Sequence, residues 1–312
     1  MLEPEALEAS LETPLVTEQV NASTVDIDEL STMEMVRRIN DEDKGVASAV
    51  GKELTHIAEA IDAITARLRQ GGRLFYVGTG TSGRLGVLDA VECPPTFGIP
   101  AEMVQAIIAG GYDACWRAVE VAEDDPRAAA AAIEARGVTE HDVVVGLAAS
   151  GRTPFTIGAL EKAGSLGALT IGIACNPDPL LAAWTDICIA PVVGPEVVAG
   201  STRLKAGTAQ KMVLNMLSTG VMIRLGYTYG NLMGNLRLTN DKLRRRARRI
   251  LQRQFQLGED EAQRLLEEAE WDLKAAMVMR ETHVSLAEAQ SALAAVNFSI
   301  KRAVRALEQK KE

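Results

Sequence analysis

Arg73-Leu74-Phe75-Tyr76-Val77-Gly78-Thr79-Gly80-Thr81-Ser82-Gly83-Arg84 decides how the chain reads. A short continuous apolar run, rich in branched and aromatic residues, gives way to a loop of glycines and hydroxyls, and a helical pattern opens at Leu85. Apolar runs without alternation suit strands buried on both faces, as parallel sheets require. The same succession returns at Met103–Ile108, Asp142–Ala148, Ala168–Ala174 and Asp186–Ala190. Five such runs alternating with helices predict a doubly wound α/β domain around a parallel sheet.

The loop carries chemistry as well as shape. Where a strand turns into a helix, unpaired backbone amides and the positive helix end form an anion site, and Thr81 and Ser82 add hydroxyl donors. The same residues fit G-x-G-x-x-G, so a dinucleotide has to be weighed. That reading wants an acidic residue about twenty positions on, at the end of the second strand, to hold a ribose. Here the second run ends in Ala109-Gly110-Gly111, and Glu102 lies on its wrong side. A second loop, Ala149-Ser150-Gly151-Arg152-Thr153-Pro154, again joins an apolar run to a helix, with proline near the helix start. Two hydroxyl-bearing loops at neighbouring strand ends suit a phosphomonoester better than a pyrophosphate.

Upstream, residues 1–30 show no steady period and read as an extended or partly mobile arm. Ser31-Thr32-Met33-Glu34 has the form of a capping box, predicting a helix over about 32–40. A longer helix is expected over 46–70, closed by Gly71-Gly72. Downstream, a helical pattern runs from about Ser201 to Leu225. Helices at Asp260–Ala269, Trp271–Met279 and Ser285–Leu307 form a small C-terminal domain. The expected organisation is an arm at 1–30, the α/β domain with its leading helices at 31–235, and a helical domain at 240–312. The basic run at Arg244–Arg249 reads as a solvated helix face.

Composition narrows the function classes. The 312 residues carry a formal charge of −9, which argues against a broad nucleic-acid footprint, so an anionic ligand must be held locally. No apolar run is long enough to span a membrane, and Met1-Leu2-Glu3-Pro4-Glu5 lacks the order of a signal peptide, so a cytoplasmic protein is expected. Cys93, Cys115, Cys175 and Cys188 are widely spaced, with only His56, His141 and His283 to join them, so reduced thiols and no bound metal are expected.

Gly80-Thr81-Ser82-Gly83-Arg84 and Ser150-Gly151-Arg152-Thr153-Pro154 resemble the two phosphate loops of the sugar isomerase (SIS) fold. The segment Gly194-Pro195-Glu196-Val197-Val198-Ala199-Gly200-Ser201-Thr202-Arg203-Leu204-Lys205-Ala206-Gly207-Thr208-Ala209-Gln210-Lys211 is more specific. It is similar to the signature shared by N-acetylmuramic acid 6-phosphate etherases and the glucokinase regulatory protein. Asn40–Lys44, Glu92-Cys93-Pro94-Pro95 and Asn215–Gly220 also resemble the etherases, from about residue 17 to the C-terminal helices. The resemblance implies a homodimer that takes a sugar phosphate without metal, nucleotide or other cofactor, and a C-terminal bundle of the ubiquitin-associated type. By motif match it implies Glu92 as the catalytic acid and Glu123 as the second catalytic carboxylate. It also places Gly80, Thr81, Ser82, Gly83, Arg84, Ser150, Gly151, Arg152, Thr153, Glu196, Ser201 and Lys205 at the substrate. Lys205 is expected to pair with phosphate or a carboxylate, or else to cover a dimer face. A sugar-phosphate sensor would share the loops without needing paired carboxylates, and an aldose–ketose isomerase would need a base but no acid for a leaving group.

Overall fold

A computed structural model of the chain describes residues 14–236, 238, 241–296 and 299–310, so the first 13 residues of the expected arm lie outside it. Five parallel strands form one sheet: β1 (Leu74–Gly78), β2 (Val104–Ile108), β3 (Val143–Leu147), β4 (Leu169–Ile173) and β5 (Ile187–Ile189), in the order β2-β1-β3-β4-β5. Each falls on one of the five apolar runs. Leu74–Val77 and Val143–Val145 are fully buried, which is why those runs carry no polar alternation. Gly78 is level with Ile108 on one side and Leu147 on the other. The loops after β1, β2 and β3 therefore emerge together. The chain moves from β1 to β2 on one side and returns to β3 on the other, so a crevice opens between the carboxyl ends of β1 and β3.

Helices cover the sheet. The first, α1 (Thr32–Gly51), opens with the predicted capping box: Glu34 donates its amide to the Ser31 hydroxyl, and its carboxylate accepts from the Ser31 amide. It continues through 41–45, where a break was expected, because Val46, Ala49 and Val50 bury its far end, outweighing Gly45's cost of about 1 kcal/mol. The break comes instead before α2 (Leu54–Arg69). At the far end of α2 Gly71 adopts φ +89°, and the Gly72 and Gly71 amides donate to the Arg67 and Leu68 carbonyls in a Schellman closure. Helices α3 (Gly80–Phe97), α4 (Pro126–Ala135), α5 (Pro154–Ser165) and α6 (Lys205–Leu225) complete the α/β layer.

Two compact units result: residues up to Val91 with Ala101–Ser218, and Glu92–Pro100 with Thr219–Glu312. The division lies at Ser218–Thr219, before the expected 235–240, and the end of α3 joins the second unit, where Asn235 donates its side-chain amide to the Phe97 carbonyl. That unit holds α7 (Asp241–Phe255), α8 (Glu259–Glu268), α9 (Leu273–Thr282), α10 (Leu286–Ala295) and α11 (Ile300–Gln309) around Leu251, Leu266, Met277, Leu293 and Ile300. The single helix expected over 285–307 is thus two, since the backbone leaves helical geometry at Val296. Arg244 lies over the Trp271 ring at 4.8 Å and Arg248 faces Glu259 at 3.4 Å, so two members of the arginine run pack along their own unit.

Candidate active site

The loop after β1 is itself the first turn of α3. Its amides at Gly80, Thr81 and Ser82 precede the first intrahelical bond, whereas Gly83 already donates to the Thr79 carbonyl at 2.8 Å. Gly83 has to be glycine for space: a Cβ there would lie 2.6 Å from the Gly78 carbonyl oxygen and 2.7 Å from Ile108. The loop after β3 mirrors it. Gly151 turns the chain at φ +73°, Pro154 begins α5, and the Thr153 side chain makes no capping bond to the helix it precedes.

Both loops line one cavity of about 390 Å³ over the crevice between β1 and β3. Thr79, Gly80, Thr81, Ser82 and Arg84 come from the first, and Ser150 and Thr153 from the second. Glu123, in a short 3-10 turn at Glu120–Asp124, stands over the first loop: a Cβ on Gly80 would lie 3.4 Å from its Oε1. Ser201, Thr202 and Arg203 close another side. Arg84 donates from Nε to the Ala114 carbonyl at 2.8 Å and from its other end to the Arg117 carbonyl at 3.0 Å. It thereby holds the segment after β2 beside the cavity as well as lining it.

The described part of the arm, residues 14–30, is not extended. Its short 3-10 turn at Val16–Glu18 buries Thr17, whose amide donates to Asn176 Oδ1, and Thr24 donates to the Val197 carbonyl. Gly200 in turn donates to the Thr17 carbonyl at 3.1 Å. The polar residues that made this stretch look aperiodic are its anchors. Together they bring Glu18 into the cavity wall, beside Gly200, where a Cβ would come within 2.9 Å of the carboxylate.

Other expected residues lie elsewhere. Gly83, Gly151 and Arg152 shape or flank the loops without lining the cavity. Glu196 is fully buried and accepts from the amides of Lys205 and Ala206 at 2.9 and 3.0 Å, a carboxylate seated on the positive end of α6. Lys205 is paired with Glu42 at 2.7 Å. The signature segment thus spends its two most conspicuous charges on fixing the turn that presents Ser201–Arg203. Glu92 sits in α3 as an exposed residue of the second unit and is not among those that line the cavity.

The pairing makes a pH-dependent prediction. Burial raises the Glu42 carboxyl, but hydrogen bonds from Lys205, Ser23 and Asn21 and the lysine charge win, holding it down to about 2. Its contribution to stability is full above the ordinary carboxylate range near 4.5 and is lost as pH falls toward 2. Lys205→Met should cost about 2–4 kcal/mol at pH 7 in denaturant unfolding, toward the low end for a broken buried pair because Glu42 keeps its other donors. The gap from the parent should narrow between pH 5 and pH 2. Unchanged stability with lost substrate affinity would return Lys205 to the substrate.

Sequence reasoning missed Glu18, Thr79, Thr202 and the small residues Ala109, Ala114 and Ala118. The arm's side-chain oxygens around Glu18 were its one signal, legible only once the partners at 176 and 195–200 are known. Among the described residues, no helix is long and apolar enough to cross a membrane and no three His, Cys, Asp or Glu groups gather to hold a metal. Cys93, Cys115, Cys175 and Cys188 form no disulfide.

Phosphate-type loops at the switch point of a five-stranded parallel sheet define the SIS class, and the chain matches the SIS domain family over residues 128–220 and the glucokinase regulatory protein N-terminal SIS domain over 56–164. A crystal structure described as a phosphosugar isomerase involved in capsule formation, from Bacteroides fragilis, shares the fold at a TM-score of 0.50 and 22% identity, over 64% of this chain and 93% of that one. Nearer relatives are more particular. An N-acetylmuramic acid 6-phosphate etherase from Clostridium beijerinckii is 52% identical over 95% of this chain and 97% of its own. One from Symbiobacterium thermophilum is 60% identical over 85% of this chain and 88% of its own. The chain belongs to the N-acetylmuramic acid 6-phosphate etherase family.

Proposed function

We propose that the cavity over the β1–β3 crevice seats the 6-phosphate of N-acetylmuramic acid 6-phosphate on the two hydroxyl loops and that the sugar lies under Glu123. The chain is a carbon–oxygen lyase of cell-wall amino sugar recycling, cleaving the D-lactyl ether to N-acetylglucosamine 6-phosphate and D-lactate. The observation that carries the reading is Glu123 standing directly over Gly80 in the phosphate loop, which sets a carboxylate at the edge of the anion site.

In the open-chain sugar, C2 lies between the aldehyde and the ether carbon C3. Glu123 takes the C2 proton, the electron pair moves into the C2–C3 bond, and the C3–O bond breaks. An alkoxide leaves poorly at neutral pH, so a carboxylic acid must give the lactyl oxygen a proton; by motif match that acid is Glu92, which does not itself line the described cavity. Water then adds at C3 of the unsaturated aldehyde and a proton returns to C2, so the sum is ether plus water to sugar and lactate. Ser82, Ser150, Thr81 and Thr153 hold the phosphate through their hydroxyls, in a cavity that Arg84 and Arg203 also line.

The same reading makes the protein a cytoplasmic homodimer. Thiols without disulfides support the first. Large exposed apolar side chains at Leu88, Val91, Tyr112, Trp116 and Val121 support the second. Incubation of purified protein with N-acetylmuramic acid 6-phosphate should release D-lactate, whereas a ketose phosphate with the lactyl group intact would point to an isomerase. Release should persist after exhaustive chelation and dialysis, since among the described residues no three His, Cys, Asp or Glu groups gather as a metal site; recovery only on adding a divalent ion would overturn this.

A further inference from the structure

Ser82 has a partner that the reaction does not explain. Its Oγ donates to Gln210 Oε1 at 2.8 Å across the junction of α3 and α6, and both side chains are buried, at 9% and 1% exposure. Gln210 Nε2 is the one buried side-chain polar atom among the described residues with no hydrogen-bond partner. A buried amide nitrogen with two unused protons is expensive, more so than an under-used carbonyl oxygen. In this arrangement the hydroxyl proton of Ser82 is turned away from the cavity that Ser82 lines.

A half-turn of the amide about its last side-chain bond exchanges its two ends. Nε2 then donates to Ser82 Oγ, which releases the hydroxyl proton to an acceptor in the cavity. The orphaned donor gains a partner and the vacated position receives a carbonyl oxygen, so the hydrogen-bond account improves on both counts. We propose that Gln210 is the positioning residue of the phosphate loop: substrate phosphate accepts from Ser82 as the Gln210 amide turns over to donate to the same hydroxyl. Gln210 touches no substrate and acts through Ser82, linking α6 of the signature segment to the loop. The proposal rests on the phosphate reading given above.

The test is a double-mutant cycle read by inorganic phosphate as competitive inhibitor and by the KM for N-acetylmuramic acid 6-phosphate. Gln210→Met, which keeps the volume and removes the donor, should raise the phosphate inhibition constant and KM together by about 3–10-fold, the scale of one net hydrogen bond, with kcat within about twofold. Gln210→Glu, which only accepts and so keeps the Ser82 proton, should raise both further. In a Ser82→Ala background Gln210→Met should add nothing. If Gln210→Met is as costly there as in the parent, or lowers kcat with KM unchanged, the residue acts on packing and the proposal fails. If Ser82→Ala itself leaves both constants unchanged, the phosphate reading of that loop fails first. Gln210→Leu, also without a donor, should repeat the Met result if the lost bond and not the thioether is responsible.

Discussion

Glu92→Gln is expected to lower D-lactate release by about 10²–10⁴-fold while deuterium from heavy water continues to enter C2 of the substrate. The amide cannot give the lactyl oxygen its proton, so the C3–O bond stays closed, but the base at C2 is untouched and the carbanion can form and be quenched. Glu123→Gln should suppress both, because without the base the C2 proton never leaves. Proton exchange and lactate release followed side by side for the two variants separate these roles. Near-normal lactate release from the Glu92 variant would remove it as the acid, and full exchange by the Glu123 variant would move the base elsewhere. Loss of both activities in both variants would contradict this division of roles.

The second large effect concerns the handle on the substrate. Unphosphorylated N-acetylmuramic acid should be turned over with kcat/KM lower by about 10²–10⁴-fold, because the two loops would lose at least two hydrogen bonds to a charged group, each about 1.5–3 kcal/mol. Ser82→Ala and Ser150→Ala should each weaken binding of the phosphorylated sugar by about 1–3 kcal/mol and change the unphosphorylated one little. Equal turnover of both sugars would remove phosphate from the account of the cavity.

The sheet was legible because its strands are buried on both faces: Leu74–Val77 and Val143–Val145 leave no room for polar alternation, so their runs stand out from any helix. The loops were legible because Gly83 and Gly151 answer to backbone constraints, one to close approach and one to positive φ, that few other residues meet. The arm was not, because its order comes from the carbonyls of Pro195 and Val197 and the side chain of Asn176, more than 150 positions away. The partner of Lys205 was hidden for a related reason. A lysine beside a phosphate loop suggests a phosphate partner, yet Glu42 on α1 reaches it at 2.7 Å. Glu92 and Glu123 carry no local signal at all, and only their motif context singles them out.

In this mechanism lactate leaves by breaking the bond between C3 of the sugar and its ether oxygen, with water taking the vacated carbon. Turnover of N-acetylmuramic acid 6-phosphate in water enriched in oxygen-18, with both products read by mass spectrometry, tests it directly. One labelled oxygen is expected at C3 of N-acetylglucosamine 6-phosphate, with an unlabelled hydroxyl in D-lactate. Label in the lactate hydroxyl, or an unlabelled C3 oxygen, would contradict it.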